Sequence, residues 1–411
     1  MVRPSRASVA RMVLALAMAS LICLMTAGAG QALAQSQNSS QFQAGRQTDN
    51  AAAQRLIVHE WGVLTTIGMP DGQTLEWSPL EVQSPLPSFV QQYPMSQSLA
   101  KTRFELPAVF FRVDKPVEIA MDIQWLAGYF ASCYPQSHRT EHGMSWAKTT
   151  VMPDAAFPLL NEASASHYYQ ARKTTASFIR VDHFGHKQYE RFLSLRALGE
   201  IDLPVSIAVN DEKFTITQNG DQAGATSADT SITQAILIEN IDGKLGFDVI
   251  DLKADGPTIT PRLKHNANID LVDAKLRKLL NKQGLYPDEA AAALGRVRSE
   301  WFAPGVRVIY LLPRQVIDQN IQMTITPQPS EHLRLYAVNV ELITPQLINQ
   351  TRQQLVAMDE QDTDAQRQLL LSSPVIKPLL AKLLADMTGD AEHLHICDKI
   401  NLMLKQPLAQ K

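Results

Sequence analysis

The densest group of reactive side chains in the N-terminal half is Val58-His59-Glu60-Trp61-Gly62-Val63. An imidazole beside a carboxylate is the raw material of acid/base catalysis or metal ligation. The surrounding run from Arg55 to Ile67 reads as a strand, and on a strand neighbouring side chains point to opposite faces. His59 and Glu60 then line one pocket only if a bulge intervenes. The competing reading is architectural: Trp61 as a core anchor, Gly62 as a point of close approach, and His59 and Glu60 as hydrogen-bond partners. The strand geometry favours the second reading.

His138-Arg139-Thr140-Glu141-His142 matches the H-x-x-E-H pattern of inverted zinc peptidases, in which histidines one helical turn apart share a face and the glutamate activates a metal-bound water. The pattern needs a helix. Here Tyr134-Pro135 precedes it and Gly143 follows at once. Two further clusters are His183-Phe184-Gly185-His186 and His393-Leu394-His395-Ile396-Cys397. Candidate acid/base carboxylates are therefore Glu60 and Glu141, and candidate zinc ligands are His59, His138, His142, His183 and His186. Each has a plainer reading as polar surface or as a hydrogen-bond partner, in a chain with 10 histidines. Arg196 and Arg314 sit at strand ends, where either could grip a carboxylate bidentately or serve in a structural ion pair. Gly-rich phosphate loops, a G-x-S-x-G elbow and C-x-x-C pairs do not occur.

The elements that position these residues are mostly strands. Alternation and turn signals predict strands at 104–113 and 117–125, joined by Asp114-Lys115-Pro116, and further ones at 74–77, 145–151, 176–181, 189–195, 205–209 and 213–218. The segment 126–160 otherwise reads as irregular. The clearest hairpin is 233–241 with 244–252 around Asp242-Gly243. The period then changes to helical. Leu271, Val272, Leu276, Leu279 and Leu280 form a stripe over 269–283, and Pro287-Asp288-Glu289 opens a second helix running to Trp301. Strands follow at 306–312, 321–325 and 333–342, and then helices at 346–358, 363–371 and 375–405, the last interrupted near Gly389. The expected fold class is α+β, mainly antiparallel and sandwich-like, with a helical pair near 270–302 and a helical C-terminal region.

Arg3, Arg6 and Arg11, the apolar run Met12–Met25 and Ala32-Leu33-Ala34 are the parts of a cleavable export signal over 1–34. A flexible leader at 35–54, a β-rich domain at 55–265, a helical pair with strands at 266–345 packed on the same core, and C-terminal helices at 346–411 complete the expected organisation. The formal charge is −3, and loss of the leader arginines makes it more negative. With no dense basic run, nucleic acid is not an expected partner. No later stretch has the length of a membrane span. Cys133 and Cys397 remain after cleavage, either as one disulfide or as two separate thiols.

Several segments together resemble a family of exported bacterial proteins marked by a His-Glu-Trp-Gly-Thr-Phe-Thr segment. Here that segment stands as His59-Glu60-Trp61-Gly62-Val63-Leu64-Thr65, with Val63 and Leu64 departing from it. FELPAVFF at 104–111 (with Leu106 where that family tends to have Thr), ERFLSLRALGEIDLPV at 190–205, GLYPDEAAAALGRVRSEWFAPGVRVIYLLPR at 284–314 and LRLYAVNVELITP at 333–345 are similar to its other segments, in the same order. The resemblance implies export and a shared architecture, and it supplies no catalytic residue. The function expected is a binding or assembly module of the cell envelope with an envelope or extracellular ligand and no cofactor. The alternative is a zinc-dependent hydrolase built on the histidines and glutamates above.

Overall fold

The strand carrying His59 lies at the centre of the molecule. In the computed structural model, which describes residues 55–79, 86–94, 99–153, 156–162, 166–219, 231–359, 361–387 and 394–406, strands are numbered β1 to β19 and helices α1 to α7 in chain order. The large sheet runs β15 (Lys244–Asp251), β14 (Gln234–Ile241), β17 (Gly305–Leu311), β19 (Glu331–Leu342), β1 (Leu56–Gly68), β4 (Thr102–Val113), β11 (Phe192–Gly199), β6 (Gly128–Tyr134), β3 (Gln91–Gln92), with β2 (Thr74–Leu75) paired to β1. β1 pairs parallel with β19 and antiparallel with β4, and all 13 of its residues are buried. A strand covered on both faces reads as a continuous apolar run, which is why 56–68 shows little alternation.

A second sheet runs β10 (His186–Glu190), β9 (Phe178–His183), β8 (Gly143–Met152), β5 (Val117–Gln124), β18 (Gln322–Thr326), with β7 (His138–Arg139) on β8. A third joins β12 (Val205–Val209), β13 (Lys213–Gln218) and β16 (Thr258–Pro261). One apolar core unites residues of all three, among them Leu64, Phe104, Met121, Trp146, Ile179 and Phe214. The fold is α+β and mainly antiparallel, as the strand and turn pattern predicts.

On the opposite face of the large sheet lie α1 (Ile269–Lys282) and α2 (Pro287–Trp301). Asn268 caps α1 through its side-chain oxygen, which accepts from the N–H groups of Asp270 and Leu271. The stripe Val272, Leu276, Leu280 packs with Leu294, Val297 and Trp301 against Trp61 and Leu335; Leu271, on the outer side, stays 66% exposed. Short α3 (Arg314–Asn320) follows β17. Helices α4 (Pro345–Ala357), α5 (Thr363–Leu371), α6 (Ile376–Met387) and α7 (Leu394–Leu404) close over the end of β1, where Ile67 and Trp77 share a core with Leu355, Leu380 and Ile400. The described residues thus form one compact unit.

The irregular stretch expected at 126–160 contains β6, an inner strand of the large sheet, and the strand expected at 189–195 is divided between β10 and β11. The export signal, the leader, Gly389 and His393 fall outside the described residues. Among the described residues, no single helix is long and apolar enough to cross a membrane.

Candidate functional site

Side chains alternate along β1, and the two faces differ in kind. The one register irregularity against β4 falls after Trp61, opposite Leu106-Pro107, so it leaves His59 and Glu60 on opposite sides. His59 points toward α2. Its Nδ1 donates to Glu289 Oε2 at 2.7 Å and its Nε2 to Glu331 Oε1 at 3.2 Å, with the Tyr286 ring 4.9 Å away. Glu289 is the third residue of α2. It also accepts from the Tyr286 N–H at 3.1 Å and from Arg112 Nη2 at 2.8 Å. Burial opposes the imidazolium, but the carboxylates of Glu289 and Glu331 outweigh it and raise the His59 pKa above its usual 6.5.

Glu60 points the other way, into the core, and is fully buried. Arg334 Nε donates to both its oxygens at 3.1 and 2.9 Å, the Tyr336 hydroxyl at 2.9 Å, and His332 Nε2 to Oε1. Burial alone would raise the Glu60 pKa; Arg334 and His332 reverse this and hold it below 4.5. Arg334 Nη1 continues to Asp318 at 2.6 Å. A carboxylate held by three donors in four contacts, two on each oxygen, offers no lone pair to a substrate. Gly62 lies on the same face, where an added Cβ would stand 2.8 Å from the Tyr336 ring and 3.1 Å from Phe104.

The remaining candidates lie elsewhere. His138 is on β7 and Glu141 and His142 are in the turn leading to β8, so the H-x-x-E-H pattern has no helical face to share. His142 Nδ1 donates to the Gly128 carbonyl at 3.0 Å, and Glu141 is exposed. His183 and His186 face each other across the β9–β10 turn, with His138 close enough that burial first, and then the positive charges of His138 and His186, lower the His183 pKa. Among the described residues, no three His, Cys, Asp or Glu side chains are arranged to hold a metal ion. His395 is exposed on α7. Cys133 and Cys397 are both free thiols, which decides against the disulfide.

Of the residues in three ion pairs beneath α2, the sequence singled out only Arg196, which takes the structural ion-pair role expected as its alternative. Arg296 of α2 reaches Glu105 of β4 at 3.1 Å, Arg103 reaches Glu300 at 2.8 Å, and Arg196 lies 2.7 Å from Glu105. Burial pushes the Glu105 pKa up, but Arg196, Arg296 and Arg103 bring it down to about 2. Arg196 itself is lowered to about 10, chiefly by burial. With His59 at its first turn, Glu105 and Arg103 along its length, and Trp61 edge-on to Trp301 at 6.3 Å, α2 is pinned from end to end.

That pinning frames a cavity of about 360 Å³ between α1, the end of α2 and strands β14, β17 and β19. Leu276, Leu279, Leu280, Ile309, Leu333 and Trp301 are among its walls. Trp301 is 3% exposed and its indole N–H has no hydrogen-bond partner. The buried N–H groups of Trp61, Trp77 and Trp125 share that condition, but those residues do not line the cavity. Gln283 and Arg314 line its exposed side. Arg314 Nε donates to Asp318 at 2.7 Å and Nη1 to the His332 carbonyl at 2.8 Å. Glu60, Arg334, Asp318, Arg314 and His332 therefore close a ring of contacts that carries the core network to the cavity rim. No single stretch of sequence encodes this cavity. Its walls come from seven elements, α1, α2, α3, β14, β15, β17 and β19, and no sequence pattern pointed to it.

Compared with known proteins, the chain matches no family model and no curated protein.

Proposed function

We propose that this protein is a binding module of the cell envelope, without catalysis of its own, that takes up a small, largely apolar molecule. The observation that carries this reading is the leucine-rich cavity of about 360 Å³, which Trp301 and Tyr310 line together with Leu276, Leu279, Leu280 and Leu333. Its size and apolar lining suit a small ligand. Export rests on the leader pattern at 1–34 and on the family resemblance. The architectural role of His59, Glu60 and Trp61 fits the same reading, because His59 and Trp61 hold α2 while Glu60 holds Arg334 in the cavity wall.

The test is binding of the fluorescent apolar probe N-phenyl-1-naphthylamine to the purified protein, beside Leu279→Trp, which fills the cavity from α1. Saturable binding to the unaltered chain that is lost in Leu279→Trp, with the fold intact by circular dichroism, is the expected result. Equal binding by the two proteins, or none by either, would overturn the proposal.

A further inference from the structure

The charge around the cavity narrows the ligand further, on the premise that the cavity is a binding site. The charged residues lining it are Arg314 and Arg334, and no Asp or Glu lines it. Arg334 is spent on Glu60, Asp318 and the Ile321 carbonyl, and its side chain is 1% exposed. Arg314 differs: its side chain is 46% exposed, and its bonds to Asp318 and His332 use Nε and Nη1, leaving Nη2 directed to neither. Those bonds also hold the guanidinium in place, so little side-chain entropy remains to be lost when it meets an anion. The exposed Gln283 amide, on the same lining, supplies a neutral donor.

We infer that the ligand is an amphiphilic monocarboxylate, such as a medium-chain acid, with its apolar chain against the leucines of α1, β17 and β19 and its carboxylate on Arg314 Nη2 at the rim. An apolar body with one anionic end matches apolar walls with one arginine at the opening, whose pairing with Asp318 runs through Nε and leaves Nη2 for the ligand. A neutral alkyl alcohol would gain the same burial but lose the charge-assisted bond. An alkyl ammonium would meet Arg314 as a like charge.

The experiment displaces N-phenyl-1-naphthylamine with decanoate, decanol or decyltrimethylammonium. Decanoate is expected to displace the probe at about tenfold lower concentration than decanol, in line with the worth of one charge-assisted hydrogen bond. Arg314→Gln is expected to erase that difference while the probe still binds, and Gln283→Glu, which puts an acid on the rim without touching the Asp318 contact, to reverse it. Equal displacement by decanoate and decanol, a preference for the ammonium, or an unchanged preference in both variants would overturn the carboxylate assignment and leave the cavity standing as a binding site. Failure of the probe to bind the unaltered protein would remove both.

Discussion

His59 Nδ1 donates to Glu289 Oε2 across 2.7 Å, joining the most buried strand of the large sheet to the first turn of a helix 230 residues further along the chain. The same carboxylate caps the Tyr286 N–H and receives Arg112. One glutamate thus fixes where α2 begins, and its position against β1 helps define the cavity on the other side of that helix.

The His59 contact has a pH signature. Its folded-state pKa is raised above 6.5, so its contribution is fully present below that value and is lost as pH rises through the folded pKa. His59→Gln should lower the melting temperature most at about pH 5.5, and the gap from the unaltered protein should narrow toward about pH 9. Thermal denaturation across that range checks it. A gap independent of pH would mean that His59 is held neutral.

Glu60 carries the opposite sign. Its pKa is depressed below 4.5, so its contribution is present above that value and lost as pH falls through the folded pKa. Glu60→Gln at neutral pH leaves buried Arg334 largely stranded, with only the half-exposed Asp318 as counter-charge, and should cost about 3 kcal/mol in urea denaturation. In combination with Arg334→Met the cost should be well below the sum of the two single changes, because the second removes the stranded charge. Additive losses would show that the pair is not coupled.

Gly62→Ala should cost about 1–3 kcal/mol, because the new methyl meets the Tyr336 ring at 2.8 Å in a packed core. Urea denaturation reads the change directly. A neutral outcome would show that the Tyr336 ring yields, although its hydroxyl is tied to Glu60.

The two described thiols should behave differently toward a disulfide reagent such as dithionitrobenzoate. Cys133 is buried, lies 3.3 Å from the Tyr93 hydroxyl, and has its thiol pKa pushed up by burial. Cys397 is half-buried on α7. Cys397→Ser should remove one fast-reacting thiol from the folded protein, and Cys133→Ser should remove one that reacts only in denaturant. A loss of fast reaction in Cys133→Ser would show that the β6 region opens.

The sequence by itself determined the element types and much of their order. The alternation of Val117, Ile119, Met121 and Ile123, the Asp242-Gly243 hairpin, and the stripe and caps of α1 and α2 are local patterns, and local sterics and burial periodicity are enough to produce them. Adjacency on a strand likewise separated His59 from Glu60 before any contact was known. The tertiary structure alone decided the partners. β6 was hidden because a short, inner strand broken by small polar residues carries no period of its own. His59 meets Glu289 and Glu331, Glu60 meets His332 and Arg334, and Glu105 meets Arg296 across 191 to 274 residues of chain, a pairing that depends on sheet order and helix placement rather than on any spacing. The cavity beside Trp301 has the same origin: its walls are ordinary core leucines until three helices and four strands meet and leave space between them.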